Sequence, residues 1–302
     1  YRAEDSRIVR GSYRGYELVG TDVPAAGVLS IQALQVMENF DPESMSEAEW
    51  FAIAGQALRM AQRELGVLGS DSAAVRATSK EYAATLAAEL AAPGRAAAGN
   101  GSPLPPLGPR DDHQGHTTHL STADPDGMFV SLTQTLGPNM GSKVVTPGLG
   151  FLYASTLGGY LGTMTEPGRR ARSNINPFLV LKDGEVFLVL GAAGGGMIPP
   201  AVVHAISRVI DFGMDLPQAL AAPRVAGGFG SSALNAETSP GIGWTSAELD
   251  EMRGLGLEIN AVERDGAFGR VHGIQYDPAT GTWIGAADPD WEGTARGPVG
   301  GR

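Results

Sequence analysis

The chain has 302 residues, with 33 acidic against 22 basic side chains, a formal net charge of −11 and no cysteine. The acidic balance argues against nucleic acid as a partner, because phosphates need a basic surface. Without cysteine there are no disulfides and no thiolate metal sites, and no run of 18 apolar residues predicts a membrane-spanning helix.

In chain order, the first expected element is a helix over 28–40. Leu29, Leu34, Val36 and Met37 form its apolar face, and Asp41-Pro42 stops it. Ser46 followed by Glu49 has the form of a capping box ahead of Trp50, Phe51, Ile53, Ala54 and Leu58. Asp71 or Ser72 opens a third helix over 73–90. Residues 91–116 read AAPGRAAAGNGSPLPPLGPRDDHQGH, with no apolar period that a helix or strand would bury. Strand sequence begins abruptly at Thr117. Hairpins are expected around the DPDG turn at 124–127, around Asp183-Gly184 within 178–190, and around DPATG within 271–286. Between the last two lie expected helices over 200–210 and 216–221. Helices followed by sheet with further helices suit an α+β layered fold of one or two domains, and no internal repeat is visible.

Four features invite chemistry. A threonine hydroxyl such as that of Thr117 is a poor nucleophile unless a base takes its proton. If the chain is cut just before Thr117, its own α-amine, with a reference pKa of about 8, becomes that base. The alternative is an ordinary first strand residue. Thr135 lies at the same open end of the hairpin, either in contact with Thr117 or facing solvent. Gly194-Gly195-Gly196 follows the apolar run 187–190, where backbone N–H groups can approach a developing oxyanion without Cβ interference. A plain strand-to-helix turn is the competing reading. The loop lacks G-x-G-x-x-G spacing and no P-loop Lys-Ser/Thr follows, so no cofactor is expected. His113, His116 and His119 are spaced for a metal check, but the first two sit in the linker and no metal site is expected. His119 shares the strand face of Thr117, which suggests packing.

The segment TTHLSTADPDGMFVSLTQTLGPNMGSKVVTPGLGFL resembles the start of the small subunit of the gamma-glutamyltranspeptidase family of self-cleaving N-terminal nucleophile hydrolases. YRGYELVGTDVPAAGVLSIQALQVMENFD, INPFLVLKDGEVFLVLGAAGGGMI, IDFGMDLPQALAAPR and VHGIQYDPATGTWIGAADP resemble further family blocks, in the family's order. The resemblance implies a four-layer αββα sandwich. It divides the chain into the end of a large subunit (1–90), a linker ending at the cleavage site (91–116) and a small subunit (117–302). It implies a cut between His116 and Thr117, with Thr117 as nucleophile, Thr135 bonding its hydroxyl, and Gly194 and Gly195 as oxyanion hole. Family precursors are longer, so the first part of the large subunit is expected before Tyr1. The expected partners are that part, in a heterodimer made from one precursor, and a small-molecule amide substrate; a dimer of heterodimers is a further option. The family is commonly exported to the periplasm or medium, and a cytoplasmic location stays open.

The expected substrate positions depart from the family. Gly158 and Gly159 stand where paired acidic residues hold a gamma-glutamyl α-amine, Gly137 replaces an asparagine, and the serine pair becomes Ser173-Asn174. Arg169, Arg170 and Arg172 form either a carboxylate clamp or an exposed basic loop. The expected function is an autoprocessing threonine amidohydrolase or acyltransferase with a non-gamma-glutamyl or relaxed acyl donor. A glutathione hydrolase and a non-catalytic relative are the alternatives.

Overall fold

The computed structural model describes residues 3, 5, 7–65, 71–92, 117–138, 140–156, 170, 173–227, 232–264, 268–290 and 292–297. Strands β1 (Ile8–Tyr13) and β2 (Tyr16–Thr21) come first, where sequence reasoning placed only helices. Their two-residue turn is Arg14-Gly15, with positive φ at both positions (51° and 79°). This geometry matches the twist of paired strands, but Arg-Gly is not one of its usual signatures, which hid the hairpin.

Helices α1 (Gly27–Met37) and α2 (Glu47–Leu65) follow. The capping box forms as expected, since the Ser46 N–H donates to Glu49 and the Glu49 N–H donates to the Ser46 hydroxyl. The single helix expected over 73–90 is two, α3 (Asp71–Ala77) and α4 (Lys80–Ala91). Ser79 divides them: its hydroxyl accepts the Tyr82 N–H and caps the second helix.

The three expected hairpins are all present: β3 (Thr117–Ala123) with β4 (Phe129–Thr135), β5 (Phe178–Lys182) with β6 (Glu185–Ala193), and β10 (Arg270–Asp277) with β11 (Thr282–Ala287). Asp183-Gly184 takes the same doubly positive turn as Arg14-Gly15, at φ 52° and 85°. Helices α5 (Ile198–Asp211) and α6 (Leu216–Ala221) lie between them, α5 starting on Pro199 and Pro200, where proline costs no hydrogen bond. A small sheet of β7 (Val225–Gly227), β8 (Leu234–Glu237) and β9 (Ile259–Val262), with α7 (Ser246–Gly254), was not foreseen.

Strands from both ends of the chain build one antiparallel sheet in the order β1-β2-β5-β6-β10-β11. Because side chains alternate along a strand, β6 sends Leu188, Leu190 and Ala192 into the helix-side core, with Trp50, Phe51, Ile31 and Leu34. The other face of β6 carries Gly191, on which the β3–β4 hairpin rests. Helix α1 is buried on every side, including Ser30, Gln32 and Gln35. Asn176 donates to Ser30 at 2.7 Å. Asp211 at the end of α5 accepts from Tyr13, Arg14 and Ser207, and Ser207 in turn accepts from Trp50 at 2.9 Å, so one carboxylate ties the first hairpin to two helices.

The β3–β4 hairpin inverts the usual amphipathic pattern. Thr117, His119, Ser121, Ser131, Thr133 and Thr135 share the face turned to the large sheet, while Leu120, Val130 and Leu132 lie on the opposite face and are 40–43% exposed.

His204 in α5 is fully buried against Phe51, with ring centroids 4.6 Å apart. Burial, with the Arg208 and Arg224 cations nearby, holds its pKa well below the usual value. Below pH ~6.5 the unfolded chain therefore takes up a proton that the folded chain refuses. Stability should be complete above that pH and fall as pH decreases, by up to ~1.4 kcal/mol per pH unit from this residue. Asp211 and Glu237, whose carboxyls burial raises, act in the opposite sense, so the comparison is between proteins. Urea unfolding from pH 7.5 to 5.5 should show a shallower loss in His204→Leu than in wild type; equal slopes would contradict a neutral buried His204.

Candidate active site

Thr117 opens β3 and Thr135 closes β4, and the DPDG turn sets the register that makes them partners. Asp124 holds the turn by accepting the Asp126 and Met128 N–H groups. Thr117 Oγ1 donates to Thr135 Oγ1 at 2.9 Å, and the Gly137 N–H donates to the same oxygen at 3.0 Å. Both lone pairs of Thr135 are thereby engaged, and its hydroxyl is fixed relative to Thr117.

Gly137 has φ +83°, and a Cβ there would stand 2.8 Å from the Ser155 carbonyl oxygen. The Ser155 N–H donates to the Leu136 carbonyl at 2.8 Å. The backbone at Ser155 thus fills the space a side chain at 137 would need, which is a physical reason for glycine beside the threonine pair.

β6 runs out at Ala193 into Gly194 (φ +128°), then a 3-10 turn over Gly195–Met197 that feeds α5. A Cβ at Gly194 would come within 2.7 Å of the Gly269 Cα, whereas a Cβ at Gly195 would meet nothing within 4 Å. Gly269 is held from behind. Its carbonyl accepts from Arg224 at 2.8 Å, and Arg224 pairs with Asp288 at 2.5 Å, both side chains being buried. Sequence reasoning missed this anchor, because Arg224 and Asp288 are far apart in the chain and neither carries a local motif.

His119 is 4% exposed, its Nδ1 at 2.8 Å from Thr133 Oγ1 and its Nε2 at 3.0 Å from Ser121 Oγ. Burial, with His272 nearby, lowers its pKa to about 3, so the ring is neutral near neutral pH. Ser131 was also missed: its hydroxyl donates to the Leu190 carbonyl and accepts the Phe178 N–H, stitching the hairpin to the large sheet.

Ser173 is occupied locally, its N–H bonded to the Pro24 carbonyl and its hydroxyl accepting the Ile175 N–H, while Asn174 is half-buried beside it. His113, His116, Gly158, Gly159, Arg169 and Arg172 lie outside the described residues, and Arg170 is exposed. Among the described residues no three His, Asp or Glu side chains converge as a metal site, and no helix is long and apolar enough to cross a membrane.

The family model described as gamma-glutamyltranspeptidase matches residues 1–297. The chain belongs to the gamma-glutamyltranspeptidase family. It is 32% identical over 242 residues to an "Acylase ACY 1 proenzyme" of Pseudomonas sp. (strain V22), covering 74% of this chain and 41% of that protein. It is 27% identical over 318 residues to a "Glutathione hydrolase proenzyme" of Escherichia coli (strain K12), covering 96% of this chain and 52% of that protein. The chain therefore spans about half the length of these relatives. The crystal structure of cephalosporin acylase from Bacillus halodurans superposes with a TM-score of 0.77 at 24% identity, covering 97% of this chain and 55% of the other. The Helicobacter pylori gamma-glutamyltranspeptidase T380A mutant matches at TM-score 0.50 and 31% identity, over 58% of this chain and 100% of that one. The fold of this gamma-glutamyltranspeptidase family member is the α+β, four-layer αββα sandwich of N-terminal nucleophile hydrolases. Its described residues supply one helical layer, the six-stranded sheet and the β3–β4 strands facing it.

The two glycines should respond differently to a methyl group. Gly194→Ala meets the Gly269 backbone in a region of φ that alanine avoids, and should cost about 1–3 kcal/mol. Gly195→Ala meets open space and bears only the smaller left-handed cost of about 1 kcal/mol. Urea unfolding midpoints give the order, and Gly195→Ala proving the more destabilising would contradict the packing described.

Proposed function

We propose that this chain carries the nucleophile of an autoprocessing threonine amidohydrolase or acyltransferase, which cleaves an amide through an acyl-enzyme on Thr117. The observation that carries the reading is the 2.9 Å hydroxyl pair of Thr117 and Thr135 at the first residue of a strand. In maturation the Thr117 hydroxyl adds to the His116 carbonyl, the peptide C–N bond breaks to leave an ester, and water hydrolyses it. The α-amine so released is the general base.

In turnover that amine takes the proton as Thr117 Oγ1 adds to the substrate carbonyl. Backbone N–H groups at Gly194 and Gly195 stabilise the oxyanion. Collapse breaks the substrate C–N bond, and the ammonium returns its proton to the leaving amine. Water then hydrolyses the ester, or an acceptor amine takes the acyl group. Thr135, itself fixed by the Gly137 N–H, aims the Thr117 oxygen.

The donor we favour lacks an α-ammonium, because Gly158 and Gly159 offer no carboxylate to neutralise one. A buried ammonium without its partner costs several kcal/mol. The acylase name of the Pseudomonas relative agrees with this reading. A glutathione hydrolase remains the second reading, favoured by the Escherichia coli relative, whose match covers 96% of the chain.

Two experiments separate these claims. Full-length wild type should yield a fragment whose first residue is Thr117, Thr117→Ser should still process, and Thr117→Ala should stay intact; turnover by uncut wild type would refute the mechanism. For specificity, kcat/KM should favour a simple acyl 4-nitroanilide over gamma-glutamyl-4-nitroanilide. Gly159→Asp should shift the ratio towards the gamma-glutamyl donor, tenfold for each 1.4 kcal/mol recovered. A strong gamma-glutamyl preference in wild type would overturn the proposed donor class.

A further inference from the structure

We infer that His119 is a positioning residue, which sets the Thr117–Thr135 pair by locking the neighbouring rung of the β3–β4 ladder onto the large sheet. The inference rests on the reading of Thr117 as nucleophile. His119 and Thr133 are register partners, next along the same face after Thr117 and Thr135. The two rungs are closed by side-chain hydrogen bonds of similar length, 2.8 Å and 2.9 Å. The imidazole is held at both ends, by Thr133 at Nδ1 and by Ser121 at Nε2.

Its seat on the sheet is equally specific. The ring lies on Gly191, and a Cβ built there would collide with the ring atoms themselves. Ser131, on the adjacent strand, ties the hairpin to the same stretch of β6 through the Leu190 carbonyl. A flat, doubly hydrogen-bonded ring over a glycine leaves the strand little freedom to slide or tilt. Thr117 is two residues from that anchor, so displacement of the ring is transmitted to the nucleophile. An apolar residue of similar bulk would fill the space but leave the Thr133 and Ser121 hydroxyls without their partner.

The test uses the full-length protein, with kcat normalised to the cleaved fraction and the substrate being whichever of the two 4-nitroanilides wild type turns over faster. His119→Leu should lower kcat by about 10- to 100-fold with KM within about twofold, the scale of a small misplacement of a reacting group. His119→Asn, which keeps a polar atom near the Nδ1 position, should recover more kcat than His119→Gln, which reaches towards Ser121. Thr133→Val removes the same contact from the other strand and should reproduce the kcat loss even if His119→Leu fails to fold.

Wild-type kcat in folded Thr133→Val, or losses in the His119 variants that follow stability alone without the Asn-over-Gln order, would overturn the proposal. Thr117→Ala, which should stay uncut, is measured in parallel as turnover per total protein. Turnover surviving there refutes the nucleophile itself. A dead Thr117→Ala beside unaffected Thr133→Val refutes only the positioning role.

Discussion

The register of β3 against β4 is the constraint on which the candidate site depends. Thr117 meets Thr135 only because the five residues after Ala123 bring Phe129 opposite it, and every later pair follows. A slip of one residue on either strand would turn its face over. Leu120 or Leu132 would then press on the large sheet where His119 and Ser131 now bond, and the hydroxyl pair would be lost. The polar seam therefore selects the register as well as filling the space. His119 is matched to Thr133 and Ser121, and Ser131 is matched to main-chain groups of two strands. The outer face, with its exposed leucines and valine, carries no such specificity.

The glycine loop after β6 is supported from behind by charge. Arg224 and Asp288 are both buried, an arrangement that is costly unless every donor and acceptor is used. Here the guanidinium also bonds the Leu220 and Gly269 carbonyls, and Asp288 accepts the Val271 N–H. Gly269 in turn abuts Gly194. The glycine loop thus rests on a satisfied ion pair through Gly194, while the space beside half-buried Gly195 stays unobstructed. The same helix that the loop feeds, α5, carries buried His204 and Ser207, so the site's framework and the helical core share one element.

Much of this was legible in sequence where a local signal set a local geometry. DPDG and Asp183-Gly184 announced their hairpins, Ser46 and Glu49 their helix start, and Thr117 with Thr135 followed from the turn between them. What stayed hidden depends on partners distant in the chain. Arg14-Gly15 makes the turn of a hairpin without its common residue signature. Ser79 divides a helix because its hydroxyl caps the second segment, a choice that an alanine-rich sequence does not advertise. The strands β7 to β9 are three or four residues long, too short for alternation to show. The seat of His119 on Gly191 was visible only as a shared face with Thr117, since that contact joins strands that sequence cannot register against each other.

Trapping the covalent intermediate tests the central claim most directly. The cleaved protein is acid-quenched during turnover of an acyl 4-nitroanilide, digested, and mapped by peptide mass spectrometry. The account predicts an added acyl mass on the peptide that begins at Thr117, carried by its side-chain oxygen. An adduct on another residue, with Thr117 unmodified while product accumulates, would contradict it.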